Sequence, residues 1–159
     1  MAQRPAWTGP AGAMARAIDS AVSAAAAGDA AGFEQADATL NRVDPEQLRV
    51  LLGHVSRELF ERAHPDGLDS DDAEQAIRSC EVSVTGWFPQ LDRDALIVAL
   101  TGALGVSETD DAPGPGELSV RRHGLLLIAD QLRTSGLRLP PILDSALAEL
   151  RRGQTVEMP

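Results

Sequence analysis

The sequence predicts an all-α, single-domain bundle of about seven helices. Three observations carry that prediction. Apolar residues recur at spacings of three and four throughout, whereas β-branched and aromatic residues never alternate with polar ones over a useful length. Each periodic stretch is bounded by helix start and stop residues. The chain of 159 residues, 43% hydrophobic and 24% charged, is long enough to bury one core and has the composition of a folded protein.

After a loose N-terminus over 1–10, Met14, Ile18, Val22 and Ala25 line one face of a first helix that stops at Gly28. Phe33, Ala36, Leu40 and Val43 mark a second, and the two are expected to form a hairpin. Asp44 and Pro45 open a third: the Asp44 carboxylate accepts from orphan amides, and Pro45 suits the first helical position. Its inner face is Leu48, Leu51, Leu52, Val55 and Leu59, and the turn His64-Pro65-Asp66-Gly67 ends it. A fourth helix starts in the acidic segment 69–74, turns Ala73, Ile77, Cys80 and Val84 inward, and closes at Trp87-Phe88-Pro89.

Asp92 caps a fifth helix of a different kind. Residues 94–104 include Ala95, Leu96, Ile97, Val98, Ala99, Leu100, Ala103 and Leu104, which leave almost no polar face, so this segment is expected to be the central helix. An acidic loop rich in Pro and Gly follows over 105–117. A sixth helix runs from about Leu118 to Arg133 through the apolar run Leu125–Ala129 and ends near Gly136. Pro140-Pro141 start a seventh, with Gly153 as its stop and 153–159 as a tail. No segment recurs about 34 residues on, which argues against a helical array.

All 14 basic residues are Arg, and Lys and Tyr are absent, a bias expected of GC-rich bacterial coding DNA. The net charge of −10 repels nucleic acid and anionic membrane surfaces. Residues 1–117 carry 20 acids and 8 Arg, while 118–159 carry 4 acids and 6 Arg. With Cys80 alone there is no internal disulfide and no cysteine metal cluster, which suits a reducing cytoplasm. The stretch 17–27 is small and apolar but Ala-rich and interrupted by Asp19, which disfavours an export signal.

His54, Glu58, Glu61 and His64 form the one constellation with a chemical precedent, since Glu61 and His64 have the Glu-x-x-His spacing of di-iron bundles. A second copy is missing: His123 has Val120 where the Glu belongs. The four also fall away from the apolar stripe of their helix, so a solvated flank is expected, with no catalytic, cofactor or metal residue assigned. The acids Asp66, Asp69, Asp71, Asp72 and Glu74 fail the EF-hand pattern and are read as helix caps. Cys80 is read as a small buried hydrophobe, Trp87 and Phe88 as core closure, and Arg121, Arg122, His123, Arg151 and Arg152 as surface charges near helix ends.

The function expected from these features is a non-enzymatic helical module acting by protein association, as a homodimer or with another protein. Helices five and six are both apolar nearly all round, and a bundle of this size surrounds about one helix fully. Val98 and Leu127 therefore mark the faces expected to meet a second chain. The alternative is a small-molecule-binding or sensor domain with an apolar pocket between helices five and six. Neither reading involves a cofactor, nucleic acid or a membrane.

Overall fold

A computed structural model describes residues 7–105 and 114–157, with side chains described as far as residue 154. Among these, seven helices and no strands occur: α1 (Gly9–Ala27), α2 (Ala30–Leu40), α3 (Pro45–Ala63), α4 (Ser70–Val84), α5 (Arg93–Ala103), α6 (Glu117–Ser135) and α7 (Leu139–Glu157). The all-α bundle is as the spacing predicts. The acidic part of the loop expected over 105–117 lies mostly outside the described residues.

Local chemistry sets the boundaries. Asp44 Oδ1 accepts from the backbone N–H groups of Glu46 and Gln47, at 2.9 and 3.2 Å, and so opens α3. At the start of α4, Asp69 and Asp72 exchange side-chain-to-backbone bonds of 2.8 and 3.2 Å, a reciprocal capping box built from the acidic run. Helix α1 ends at Gly28, whose φ of 68° only glycine adopts without strain, and the turn lies 3.5 Å from the Trp87 ring at the point where a Cβ would stand. Gly153 does not stop α7, which continues to Glu157.

The expected central helix is the wrong one. Helix α6 packs against α1, α3, α4 and α5, and His123 and every residue from Leu125 to Gln131 are buried. Helix α5 packs against α3, α4 and α6 on one side, burying Ala95, Leu96, Leu100 and Ala103. Its other side is open: Ile97 and Val98 are each 42% exposed and Leu104 is 40% exposed. The N-terminal hairpin α1–α2 supplies the cover that α5 lacks and α6 receives, with Met14, Ile18, Ala21, Val22 and Phe33 all in the core. Helix α7 closes the bundle against α3 and α1, burying Leu139, Ile142, Leu143, Ala146, Leu147 and Leu150.

Buried polar contacts tie the layers together. Arg121 of α6 donates to Asp37 Oδ1 of α2 through both Nε and Nη2, at 3.2 and 2.7 Å, and to Asn41 Oδ1 at 2.8 Å. Arg122 pairs with Glu34 and lies over the rings of Phe33 and Phe88, with centroids 5.8 and 5.3 Å away. Burial pulls its guanidinium below the usual arginine range. Arg121 and Arg122 are thus struts between α2 and α6, not the surface charges their neighbourhood in the sequence suggests.

Candidate association surface

Two contacts set the register of α5. Asp92 caps it, with Oδ1 accepting from Asp94 N–H at 3.0 Å. The backbone N–H of Asp92 donates in turn to Nε2 of His123 on α6, at 2.9 Å. Because that amide can only donate, Nε2 must accept, and the ring proton sits on Nδ1, 2.7 Å from the Ser119 carbonyl. Both ring nitrogens of the buried His123 are therefore occupied, Nδ1 within α6 itself and Nε2 in holding the start of α5 to it. At the next residue, Arg93 bridges Glu74 and Glu81 of α4 at 2.6 Å each, and the Arg93 contact holds the Glu74 carboxyl below its usual range.

Past these anchors the helix carries no charge. From Ala95 to Ser107 the sequence contains no Asp, Glu, Arg or His. Small residues let α5 lie close to α6: a Cβ placed on Gly124 would stand 3.9 Å from that of Ala99. The outward side presents Ile97, Val98 and Leu104 around Thr101. The Thr101 hydroxyl donates to the Val98 carbonyl at 3.1 Å, so its polar demand is met inside the helix. On the same side Gly102 is exposed, and a Cβ there would meet nothing within 4 Å. Leu118, at the start of α6, is 49% exposed. The surface is thus an apolar ridge with a notch at Gly102.

The sequence-derived candidates divide on this geometry. Val98 stands on the open ridge. Leu127 does not belong to a surface at all: at 2% exposure it is enclosed by its own chain, which corrects its assignment as an interface residue. The reason is the position of α6, whose second face is covered from within by the other helices packed around it. Apolar spacing alone does not single out Ile97, Leu104 and Leu118, which stand on the open side as well. The signal that could have found them is the uncharged stretch itself, because an enclosed helix of this protein carries polar anchors and α5 carries none beyond its first turn.

The His54, Glu58, Glu61 and His64 group does not converge. Glu61 points to solvent, and His64 stacks on Phe60 with ring planes 15° apart. Glu58 accepts from the Ser145 hydroxyl of α7 at 2.7 Å, a contact between helices that the sequence does not announce. Among the described residues no group of three or more His, Cys, Asp and Glu is placed to hold a metal ion, and no helix is long and apolar enough to cross a membrane. Cys80 is fully buried, and desolvation, aided by the charges of Asp130 and Glu81, pushes its thiol up to about 12. Phe88 is buried and Trp87 half-buried, in edge-to-face contact with each other and with Phe33.

Two open clefts of about 370 and 350 Å³ run along α6, one toward α1 and α7 and the other toward α1 and α4. Helix α5 lines neither; both lie on the flank of α6 away from α5. No protein-family model matches the chain, and neither a curated protein nor a solved structure matches it.

Proposed function

We propose that the protein is a non-enzymatic helical association module that pairs with a second copy of itself through the outer face of α5. The observation that carries this reading is the uncharged ridge of Ile97, Val98 and Leu104 on an edge helix. Two chains of net charge −10 repel at long range, and the stretch from Ala95 to Ser107 is where they can meet without opposing like charges directly. The ridge is also complementary to itself. In an antiparallel pair related by a twofold axis between residues 100 and 101, Ile97 of one copy faces Leu104 of the other, and Val98 faces the notch beside Gly102. Each such side chain gains roughly 1.5 to 3 kcal/mol if fully buried, less for one already half covered.

Nothing in this pairing requires a cofactor or a bound metal. A single buried cysteine leaves it insensitive to redox state, in keeping with a bacterial cytoplasm. Light scattering on the purified protein at about 100 μM, well above the dissociation constants of weak complexes, is expected to give a dimer. A monomer at that concentration refutes the reading. Replacing Val98 by Glu places two carboxylates in the notches and is expected to return a folded monomer. A variant that stays dimeric moves the contact elsewhere.

A further inference from the structure

The bond between the Asp92 amide and His123 exists in one protonation state of the ring. Nε2 accepts that N–H at 2.9 Å, and Nδ1 donates to the Ser119 carbonyl at 2.7 Å. A second proton would have to sit on Nε2, which then becomes a donor facing a donor and leaves the Asp92 amide without an acceptor. The residue is 2% exposed and the Phe88 ring packs edge-on against it, with centroids 5.6 Å apart, so solvent has little room to replace either partner.

Among the described residues, no carboxylate bonds either ring nitrogen. On α6 the neighbours in sequence are Arg121 and Arg122, and the Arg122 guanidinium lies over the same Phe88 ring that contacts His123. Asp37 and Glu34 of α2 are spent on those two arginines. Helix α4 has Glu74 and Glu81, both bridged by Arg93 of α5, and Cys80, whose charged neighbour on α6 is Asp130, about two turns from His123 and paired with Arg133. The buried residues of α1 and α3 include no charged group. That leaves the Asp92 carboxylate, whose Oδ1 caps α5 through the Asp94 amide at 3.0 Å. Turning it toward a protonated Nε2 would give up that cap. By either route, a second proton on the ring costs α5 a contact at its start.

We infer that His123 is a proton-operated latch: the neutral ring ties the start of α5 to α6, and a proton taken up from solvent in acid frees it. Histidine is the side chain suited to this role, because its charge changes between about pH 5 and 8. The contact is complete on the alkaline side of that range and is given up as the pH falls through it. The release is local, since Leu96 and Leu100 hold the rest of α5 to the bundle. Ile97 and Val98 stand within two turns of Asp92, so the latch also governs pairing through α5. That last consequence rests on the association reading; the latch itself does not.

Amide hydrogen exchange of the full chain at pH 7.5 and pH 5, expressed as protection factors so that the intrinsic pH dependence drops out, reads the latch. Protection of Asp92 and Leu96 is expected to fall about tenfold or more at pH 5, while Ile128 and Ala129 in the middle of α6 keep theirs. His123→Gln retains an acceptor oxygen that takes no proton, and its Asp92 protection is expected to be the same at both pH values. Nitrogen-15 shifts of the His123 ring give a check that needs no variant, with Nε2 bare at pH 7.5 and protonated at pH 5. Equal protection at the two pH values, a protonated ring with Asp92 still protected, or a loss shared by His123→Gln or by Ile128 overturns the latch. Light scattering separates it from pairing: the dimer Kd is expected to rise about tenfold at pH 5 in the unmutated chain and not in His123→Gln. A released Asp92 with an unchanged Kd overturns the control of pairing. A monomer at both pH values refutes the pairing itself, and Asp92 protection still decides the latch.

Discussion

Helices α5 and α6 carry nearly the same apolar pattern and meet opposite fates. Leu96 and Leu100 of α5 are as buried as Leu125 and Leu126 of α6, yet one helix has an open side and the other has none. The difference lies in what surrounds the leucines. Helix α6 carries Arg121, Arg122, His123 and Asp130, which reach Asp37 and Glu34 of α2, the Asp92 amide at the start of α5, and Arg133 one turn on. Polar side chains inside an otherwise apolar helix are tolerable only with partners close by. Their presence on α6 therefore identifies a helix enclosed by its own chain. Beyond Asp94, α5 has no such group, because its second face needs none.

The contrast can be broken most forcefully at Leu127. Replacing it by Glu puts an unpaired charge in the most enclosed part of α6 and is expected to cost about 5 kcal/mol or more, comparable with the whole stability of a marginal domain. Loss of the helical circular dichroism signal checks it. Cys80 offers a second readout. Its thiol is raised to about 12, so at pH 8 it is protonated and sealed in the folded protein. Iodoacetamide followed by mass spectrometry is expected to label Cys80 in Leu127→Glu and not in the unmutated chain. A folded, unlabelled Leu127→Glu would mean that α6 has a free face after all.

Asp37→Ala leaves Arg121 with an uncompensated charge at 16% exposure and is expected to cost about 3 kcal/mol, the lower end for a broken buried pair. Urea denaturation measures it, and a loss below about 1 kcal/mol would reduce the α2–α6 strut to a surface contact. Asp92→Ala removes the cap of α5 while keeping the backbone amide that His123 holds, so about 1 kcal/mol is expected from the same assay. The smallest effect on stability belongs to Val98→Glu. At an exposed position it is expected to shift folding by less than about 0.5 kcal/mol, while the scattering mass falls to that of one chain.

Much of the architecture was legible because it is local. The caps at Asp44, Asp69 and Asp92, the stop at Gly28 and the inner faces of α3 and α4 follow from spacing within one or two turns, and the structure has them. Which helix ends up in the middle is a different kind of fact. It depends on where the α1–α2 hairpin docks, and that is fixed by Asp37 meeting Arg121, residues 84 positions apart. Neither is remarkable alone: one is an acid on a short helix, the other a member of an Arg pair. The same limit applies to the surface sites. Val98 could be suspected from apolar excess, but Ile97 and Leu104 looked equally fit for the core. Asp130 gave no sign of standing in a cleft, because the walls around it come from three separate helices.

The position of α6 along the chain also bears on how the protein is made. The 116 residues before it include α1, α3, α4 and α5, the helices that pack against it, so the faces they turn toward α6 have nothing to close upon until α6 has been synthesised. At about 5 to 20 residues per second, that interval is roughly 6 to 23 s on the ribosome. Only the α1–α2 hairpin and the pairing of α5 with α3 and α4 can consolidate during it. A nascent chain arrested before Glu117 is thus an exposed set of half-faces, and it is at this stage, not after release, that the protein is most open to chaperones and to aggregation.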